Sequence, residues 1–176
     1  MPEAPPSPDD SPLEAGILFG ANLEDPEGAV ARASDLMRGL DGFSFVARSS
    51  IWITEPVGGP PGQAHYANRA EIWLCPPDPV RVVRGLLGVE AALGRVRRER
   101  WGPRVIDLDL LYLGNLLSLD EEALVPHPRL GERAFALYPL AEVKPGWIHP
   151  ASGKSVEGLI AALPPGSGDG VRKSAG

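Results

Sequence analysis

The chain has 176 residues, of which 43% are hydrophobic and 23% charged, and this composition is typical of one globular domain. The formal net charge of −6 at pH 7 argues against a general nucleic-acid binder, and the single cysteine, Cys75, excludes an internal disulfide. No run of about 18 apolar residues is present, and the N-terminus has neither the basic nor the apolar region of a secretory signal. We therefore expect a cytoplasmic protein that spans no membrane.

Regular elements are predicted between two segments rich in proline, glycine and polar residues, 1–15 and 164–176, which we expect to be flexible tails. Two Asp-Pro pairs, at 25–26 and 78–79, combine a helix N-cap with a proline at the first helical position and so predict helix starts. In chain order, the predicted elements are a strand at 16–20, a helix from 26 to about 38, strands at 43–54 and 67–75, a helix from 79 to about 93, a strand at 105–113, a short helix at 135–143 interrupted near Pro139, and a last helix at 155–163.

The order of these elements through residue 113 is β-α-β-β-α-β, which is typical of the ferredoxin-like fold. We therefore predict an α+β protein with an antiparallel sheet flanked by helices, the two helices of this motif lying on one face. The predicted domain is single and covers residues 16–163. Because this fold hosts many functions, the function must be sought in particular residues.

The strand at 105–113 carries two acidic side chains, Asp107 and Asp109, among apolar neighbours. Side chains alternate across a strand, so both carboxylates point to one face and Leu108 to the other. Their Cα atoms are about 7 Å apart. Such a pair can bind one or two hard cations, in particular two Mg²⁺ ions that also bind polyphosphate oxygens. The alternative is an exposed strand face with two ordinary acids.

A cluster of positive charge precedes this strand, since residues 95–104 contain five arginines and one glutamate. Guanidinium groups bind phosphate oxygens and neutralise charge that develops on them. Trp101, Gly102 and Pro103 within this segment argue against a merely solvated surface loop. Together with the two aspartates, the arginines predict a site for a metal-bound polyphosphate.

Three further features could belong to such a site. The loop at 55–62 contains several prolines and glycines between two strands, a position typical of functional lids. Tyr66 and Asn68 follow it on one face of a strand and could bind a flat heterocycle, although a core tyrosine and a turn asparagine are the alternative. His127 lies between two prolines and next to Arg129, where a rigidly held imidazole could contact phosphate.

Taken together, these residues resemble the family of 6-hydroxymethyl-7,8-dihydropterin pyrophosphokinases of the folate pathway. The resemblance is carried by the segment Gly-Arg-Val-Arg-Arg-Glu-Arg-Trp-Gly-Pro-Arg-Val-Ile-Asp-Leu-Asp at 94–109. Four shorter motifs support it in family order: Thr-Glu-Pro-Val-Gly at 54–58, Tyr-Ala-Asn at 66–68, Val-Pro-His-Pro-Arg-Leu at 125–130, and Glu-Arg-Ala-Phe at 132–135. The resemblance implies transfer of a diphosphate from ATP to the hydroxymethyl oxygen of the pterin, with release of AMP.

The resemblance also assigns residues to the ATP half of the site. Asp107 and Asp109 would ligate two Mg²⁺ ions that bridge the triphosphate. The remaining assignments are Arg95 and Arg104 for neutralising the triphosphate, Arg97, Arg100 and Trp101 for closing a mobile loop over it, and Glu90 and His127 for contacting ATP. No side chain is predicted to act as an essential general base, and metal would activate the hydroxyl instead.

For the pterin half, the resemblance implies stacking between Tyr66 and Phe135, with hydrogen bonds from Asn68 and from backbone near Thr54 and Val57. The sequence departs from the family pattern at Ala21, where serine is usual, and at Glu122 and Leu124, where some members have an arginine and a threonine that help to hold ATP.

Two other functions fit parts of the pattern. RNA-recognition domains share the β-α-β-β-α-β order, but they need aromatic strands and a broadly basic sheet, whereas this chain is acidic. A metal-dependent phosphohydrolase could use the same acids and arginines, and would release phosphate without needing a pterin. Nothing in the sequence indicates an oligomer interface, so we expect a monomer.

Overall fold

The computed structural model describes residues 8–55, 61–62, 64–94 and 105–175. The strands are β1 Leu13–Ala21, β2 Ser44–Arg48, β3 Trp52–Thr54, β4 Tyr66–Cys75, β5 Asp107–Leu113 and β6 Val171–Lys173. The helices are α1 Pro26–Met37, α2 Pro79–Ala92, α3 Ala134–Val143 and α4 Val156–Ala161, with single 3-10 turns at Pro8–Asp10 and Leu130–Glu132.

The strands form one antiparallel sheet in the order β5-β1-β4-β3-β6, and β2 also pairs with β4. β1 therefore lies between β5 and β4, as the ferredoxin-like fold requires, and the predicted fold class is confirmed. This neighbourhood matters for function because β1 lies between β5, which carries Asp107 and Asp109, and β4, which carries Tyr66 and Asn68.

Helices pack on both faces of the sheet. Consecutive residues of β1 alternate between the two cores: Ile17 and Phe19 pack with α1 and α2, whereas Leu18 packs with the residues of α3 and α4. The helices α1 and α2 share one face, as predicted, and the later helices cover the other. Both faces of the sheet are therefore covered by helices, whereas RNA-recognition modules use an open sheet face to stack bases.

The two Asp-Pro helix starts are confirmed. The Asp25 side chain accepts a hydrogen bond from Gly28 N at 3.2 Å, and Asp78 Oδ1 accepts from Val80 N at 3.0 Å and from Arg81 N at 3.2 Å. These bonds satisfy amide groups that the first helical turn leaves without partners.

Several predictions differ from the structure. β1 begins at Leu13, and a 3-10 turn covers Pro8–Asp10, within the segment 1–15 that was expected to be a flexible tail. The strand at 43–54 is divided into β2 and β3, because Ser49 Oγ accepts the Ala70 N–H at 3.0 Å in place of a regular ladder partner. The predicted interruption of the helix at 135–143 is wrong: α3 continues through Pro139, which is buried in the helix together with Leu137 and Leu140. A proline costs one helical hydrogen bond, and burial of this apolar face keeps the helix intact.

The C-terminal segment is also different from the prediction. Residues 171–173 were expected in a flexible tail, but they form β6 at the edge of the sheet, where Thr54 is the register partner of Val171. Ser174 N extends the pairing by donating to Ile51 O at 2.8 Å. The composition of this segment suggested disorder. The edge of β3, however, offers backbone hydrogen-bond partners, and these cannot be predicted from the sequence of the segment itself. Among the described helices, none is long and apolar enough to cross a membrane.

Candidate active site

Asp107 and Asp109 project from β5 toward the α3 side of the sheet. Their neighbours Ile106, Leu108 and Leu110 are at most 7% exposed and pack into the core beneath α1 and α2. The predicted alternation is therefore observed, and both carboxylates remain partly accessible. Carboxylate oxygens are the ligands that Mg²⁺ prefers, so this pair fits a divalent cation that also binds phosphate oxygens.

Glu90 supports the backbone between the two aspartates. Its side chain is 2% exposed, and Oε1 accepts a hydrogen bond from Leu108 N at 2.8 Å. This bond connects α2 to β5, the strand of the carboxylate pair. The predicted contact between Glu90 and ATP stays a prediction, whereas its support of the strand is visible directly.

Arg133 is a site residue that the sequence reasoning missed. Its Nη1 lies 3.2 Å from Asp109 Oδ2 and 3.5 Å from His127 Nε2, and its guanidinium carbon lies 5.6 Å from the centre of the Phe135 ring. The only signal in the sequence was its place in the Glu-Arg-Ala-Phe motif. A partly exposed guanidinium beside a carboxylate pair is well placed to bind a phosphate oxygen.

His127 is held in the neutral form. Its backbone N donates to Leu111 O at 2.8 Å, and its Nδ1 accepts from Arg129 N at 3.1 Å. Burial, and then the charges of Arg133 and Arg129, lower the pKa of His127 to about 4. Since Nδ1 accepts a hydrogen bond, Nε2 carries the proton of the neutral ring. Nε2 and Arg133 Nη1 are then both donors, so their 3.5 Å contact is not a hydrogen bond and both can donate to one acceptor.

A second group of polar side chains lies two strands away from the aspartates. Asn68 is 3% exposed, and its Nδ2 donates to Thr54 Oγ1 at 2.9 Å and approaches Trp52 O at 3.5 Å. Thr54 is the register partner of Tyr66, so three predicted pterin residues are brought together on β3 and β4. Phe135, the fourth, is partly buried at the start of α3.

Gly20 separates the two groups. In the sheet register, Asp107 is opposite Gly20, and Gly20 is opposite Asn68, so the three residues form one row. A Cβ atom at Gly20 would lie 3.2 Å from Asn68 Oδ1. With strands about 4.8 Å apart, the row places the amide and the carboxylate about 10 Å from each other, with a glycine floor between them.

Several predicted residues lie outside the described part of the chain, namely Val57, Arg95, Arg97, Arg100, Trp101 and Arg104. The segments that contain them follow β3 and α2 and lead into β4 and β5 respectively. In the described ranges, no group of three or more His, Cys, Asp or Glu side chains could hold a metal ion.

Comparison with known proteins gives one consistent family. Residues 16–145 match the family described as 7,8-dihydro-6-hydroxymethylpterin-pyrophosphokinase. A protein of Synechocystis sp. is 37% identical over 164 residues, which cover 89% of this chain and 81% of the relative. One of Methylorubrum extorquens is 38% identical over 151 residues, covering 86% and 94% respectively. Both relatives are named 2-amino-4-hydroxy-6-hydroxymethyldihydropteridine pyrophosphokinase.

Solved structures of similar fold come from Plasmodium falciparum. The wild-type HPPK-DHPS with SDX-DHP matches with a TM-score of 0.66 at 11% identity, covering 88% of this chain and 45% of that chain. The wild-type HPPK-DHPS with pteroate matches with a TM-score of 0.67 at 9% identity, covering 86% and 44%. This chain thus spans less than half of those proteins, and the likeness supports the fold.

Proposed function

Since the chain belongs to the 7,8-dihydro-6-hydroxymethylpterin-pyrophosphokinase family, we propose that it transfers a diphosphate from ATP to the hydroxymethyl oxygen of 6-hydroxymethyl-7,8-dihydropterin in folate biosynthesis. AMP and the pterin diphosphate would be the products. The observation that supports the proposal is the row Asp107–Gly20–Asn68, in which the carboxylate proposed for the cation and the amide proposed for the heterocycle lie on one face of the sheet.

The phosphate half would be organised by Asp107 and Asp109. Both fit Mg²⁺ by their chemistry, since they are oxygen ligands on one face of a strand, and Glu90 fixes the backbone between them. When bound, two Mg²⁺ ions would neutralise the triphosphate and polarise the transferred group. Arg133 lies next to Asp109 and would bind a phosphate oxygen, adding positive charge from the protein itself.

His127 would contribute a hydrogen bond rather than a charge. Because burial and two arginines keep its pKa low, the ring donates through Nε2 while Nδ1 stays bonded to Arg129 N. A neutral donor next to Arg133 suits an anionic oxygen and does not compete for the proton of the substrate hydroxyl. We assign His127 to ATP on this basis.

The pterin half would be formed by Asn68, Thr54, Tyr66 and Phe135. The Thr54 hydroxyl occupies one donor of the Asn68 amide at 2.9 Å and thereby fixes which way the amide faces. The Oδ1 atom of Asn68 then points toward the space above Gly20, where it can accept a hydrogen bond from the heterocycle. Tyr66 and Phe135 would stack on the two faces of the ring.

The arginine segment would complete the site. Arg95 and Arg104 are proposed to neutralise the triphosphate, with Arg97, Arg100 and Trp101 closing over it and Val57 contacting the pterin. Transfer of this kind depends on positioning and charge neutralisation more than on covalent catalysis, and exclusion of water prevents ATP hydrolysis. No general base among the side chains is required in this scheme.

The test is to identify the nucleotide product. The protein is mixed with Mg-ATP, with and without 6-hydroxymethyl-7,8-dihydropterin, and nucleotides are separated by chromatography. AMP that appears only with the pterin supports the proposal. Formation of ADP, or hydrolysis that is independent of the pterin, would refute it and favour a phosphohydrolase. The Asp107→Ala variant, checked for folding by circular dichroism, controls for contaminating activity.

A further inference from the structure

Glu142 lies in the last turn of α3 and receives hydrogen bonds from two residues near β3. Its Oε1 accepts from Ser50 N at 3.0 Å and from Ser50 Oγ at 2.7 Å, and its Oε2 accepts from Trp52 Nε1 at 2.9 Å. Lys173 Nζ of β6 lies 3.6 Å from Oε2. Burial alone would raise the pKa of Glu142, but the bonds from Ser50 and Trp52 and the charge of Lys173 lower it overall. The carboxylate is therefore ionised at neutral pH and bonded on both oxygens.

These contacts connect α3, which carries Phe135, with β3, which carries Thr54. Both residues belong to the proposed pterin site. Phe135 is the second residue of α3, two turns before Glu142, whereas Thr54 ends β3, two residues after Trp52. Trp52 is the register partner of Asn68, and its ring packs against Tyr138 of α3 at 5.7 Å between centroids. The tryptophan thus lies between the helix and the strand of the amide.

Apolar contacts hold α3 against the sheet without fixing it along its axis. The ion pairs at its two ends, Arg133 with Asp109 and Lys144 with Glu14, connect it to β5 and β1, so among these contacts only Glu142 connects it to the β3 side. Burial of residues such as Leu137 and Leu140 is favourable over a range of small shifts, because the hydrophobic effect is not directional. Three directional hydrogen bonds to one carboxylate restrict such shifts. A flat ring that stacks on Phe135 and bonds to Asn68 requires this restriction, since each contact comes from a different element.

We propose that Glu142 is a positioning residue for the pterin, which sets the placement of α3 and Phe135 relative to Thr54 and Asn68. The inference rests on the function proposed above and adds a residue that touches neither substrate. On this inference, the edge formed by β3 and β6 contributes to pterin binding but not to ATP binding. Asp107 and Asp109, which are proposed for ATP, lie on β5, on the opposite side of β1.

The test compares Glu142→Gln with the wild type and with Glu121→Gln, a matched change at an exposed loop residue. Glutamine keeps the size of the side chain but replaces one acceptor oxygen by an NH2 group, which cannot accept from Ser50 or Trp52. The Kd for the pterin is measured by calorimetry with a saturating nonhydrolysable ATP analogue and Mg²⁺, and the Kd for that analogue is measured separately. Unfolding midpoints in urea verify the fold of each variant.

For Glu142→Gln, we expect the Kd and KM for the pterin to rise about tenfold, as for loss of one hydrogen bond to a charged group. The Kd for the ATP analogue and kcat at saturating pterin should stay within about twofold of the wild type, and Glu121→Gln should change nothing. In a Trp52→Phe background, which has no indole donor, Glu142→Gln should raise the pterin Kd by a smaller factor than in the wild-type background. An unchanged pterin Kd, or an equal loss for both ligands, would overturn the positioning role.

If Glu142→Gln does not fold, Ser50→Ala provides the test by the same criterion, since it removes only the hydroxyl donor of an exposed residue. A smaller rise in the pterin Kd with unchanged ATP binding is then expected, and no rise would overturn the inference. A wild-type protein that makes no AMP from ATP and the pterin would instead overturn the proposed function, so the two failures are distinguishable.

Discussion

A buried ion pair beneath α1 allows a quantitative prediction about the stability of the site strand β4. Glu71 is fully buried and accepts hydrogen bonds from Ser34 Oγ at 3.0 Å, from Trp73 Nε1 at 2.9 Å and from the guanidinium of Arg69. Arg69 is 7% exposed, and its buried Nε has no hydrogen-bond partner in the described part of the chain. Arg69 follows Asn68 directly, so this cluster anchors the strand from the face opposite the site.

We expect Glu71→Gln to destabilise the protein strongly. Glutamine preserves the volume, but it leaves the charge of Arg69 buried without a counter-charge, and breaking a buried pair costs about 3–5 kcal/mol. That is a large part of a total stability of about 5–15 kcal/mol. For a chain of this size, 1 kcal/mol shifts Tm by about 2–4 °C, so the midpoint should fall by about 6–20 °C.

Two further variants separate the charge effect from packing. Replacing both partners, by Arg69→Met with Glu71→Gln, removes the charges together and keeps an acceptor oxygen for Ser34 and Trp73. This pair should restore most of the loss, because burying ions is itself costly. The exposed pair of Arg81 and Asp41, at 2.9 Å, provides the control, and Asp41→Asn should leave the unfolding midpoint unchanged.

Urea unfolding followed by tryptophan fluorescence and by circular dichroism measures these free energies, and agreement of the two signals checks two-state behaviour. The reasoning is refuted if Glu71→Gln costs less than about 1 kcal/mol, or if the paired replacement is less stable than the single variant.

Three further predictions concern the site itself. Asp107→Ala should lower kcat by about a hundredfold or more with a near wild-type unfolding midpoint, because the side chain points away from the core; unaltered kcat would show that the cation site is misplaced. Gly20→Ala should raise the KM for the pterin several-fold, because the added methyl lies 3.2 Å from Asn68 Oδ1, and an unchanged KM would contradict a substrate path above this glycine. The pKa of His127 is about 4 when folded and about 6.5 when unfolded, so the unfolded state binds more protons between these values and stability falls as pH decreases through this window. His127→Gln should show a shallower fall in urea midpoint from pH 6.5 to 4, and equal slopes would contradict the shift.

Much of the fold could be predicted because local patterns and tertiary structure agree. The Asp-Pro pairs mark both early helices, and the alternation around Leu108 identifies the two faces of β5. The errors arise where a distant partner decides the outcome. Ser49 ends β2 by bonding to Ala70, and β6 exists because β3 leaves an edge open, and neither partner is visible in the local sequence.

The candidate site also contains residues that local sequence patterns mark and residues that only distant contacts identify. The placement of Asp107, Asp109 and Asn68 on one sheet face could be predicted, since strand alternation or a short motif marks each of them. Arg133 was missed because a single arginine before a helix has no periodic signature, and its meaning depends on Asp109, which is 24 residues earlier in the chain. The contact of Glu142 with Ser50 spans 92 residues and was equally invisible.

The register of β5 against β1 links the chemistry of the site to the apolar core. A slip of one residue would turn Asp107 and Asp109 into the core beneath α1 and α2 and expose Leu108 and Leu110 on the site face. The burial of these leucines therefore holds Asp107 in the row with Gly20 and Asn68, and keeps Asp109 on the same face of the sheet. Because Glu90 bonds to the backbone of Leu108, it reinforces this register from α2. The placement of the two carboxylates is thus determined largely by buried leucines and by one hydrogen bond with α2.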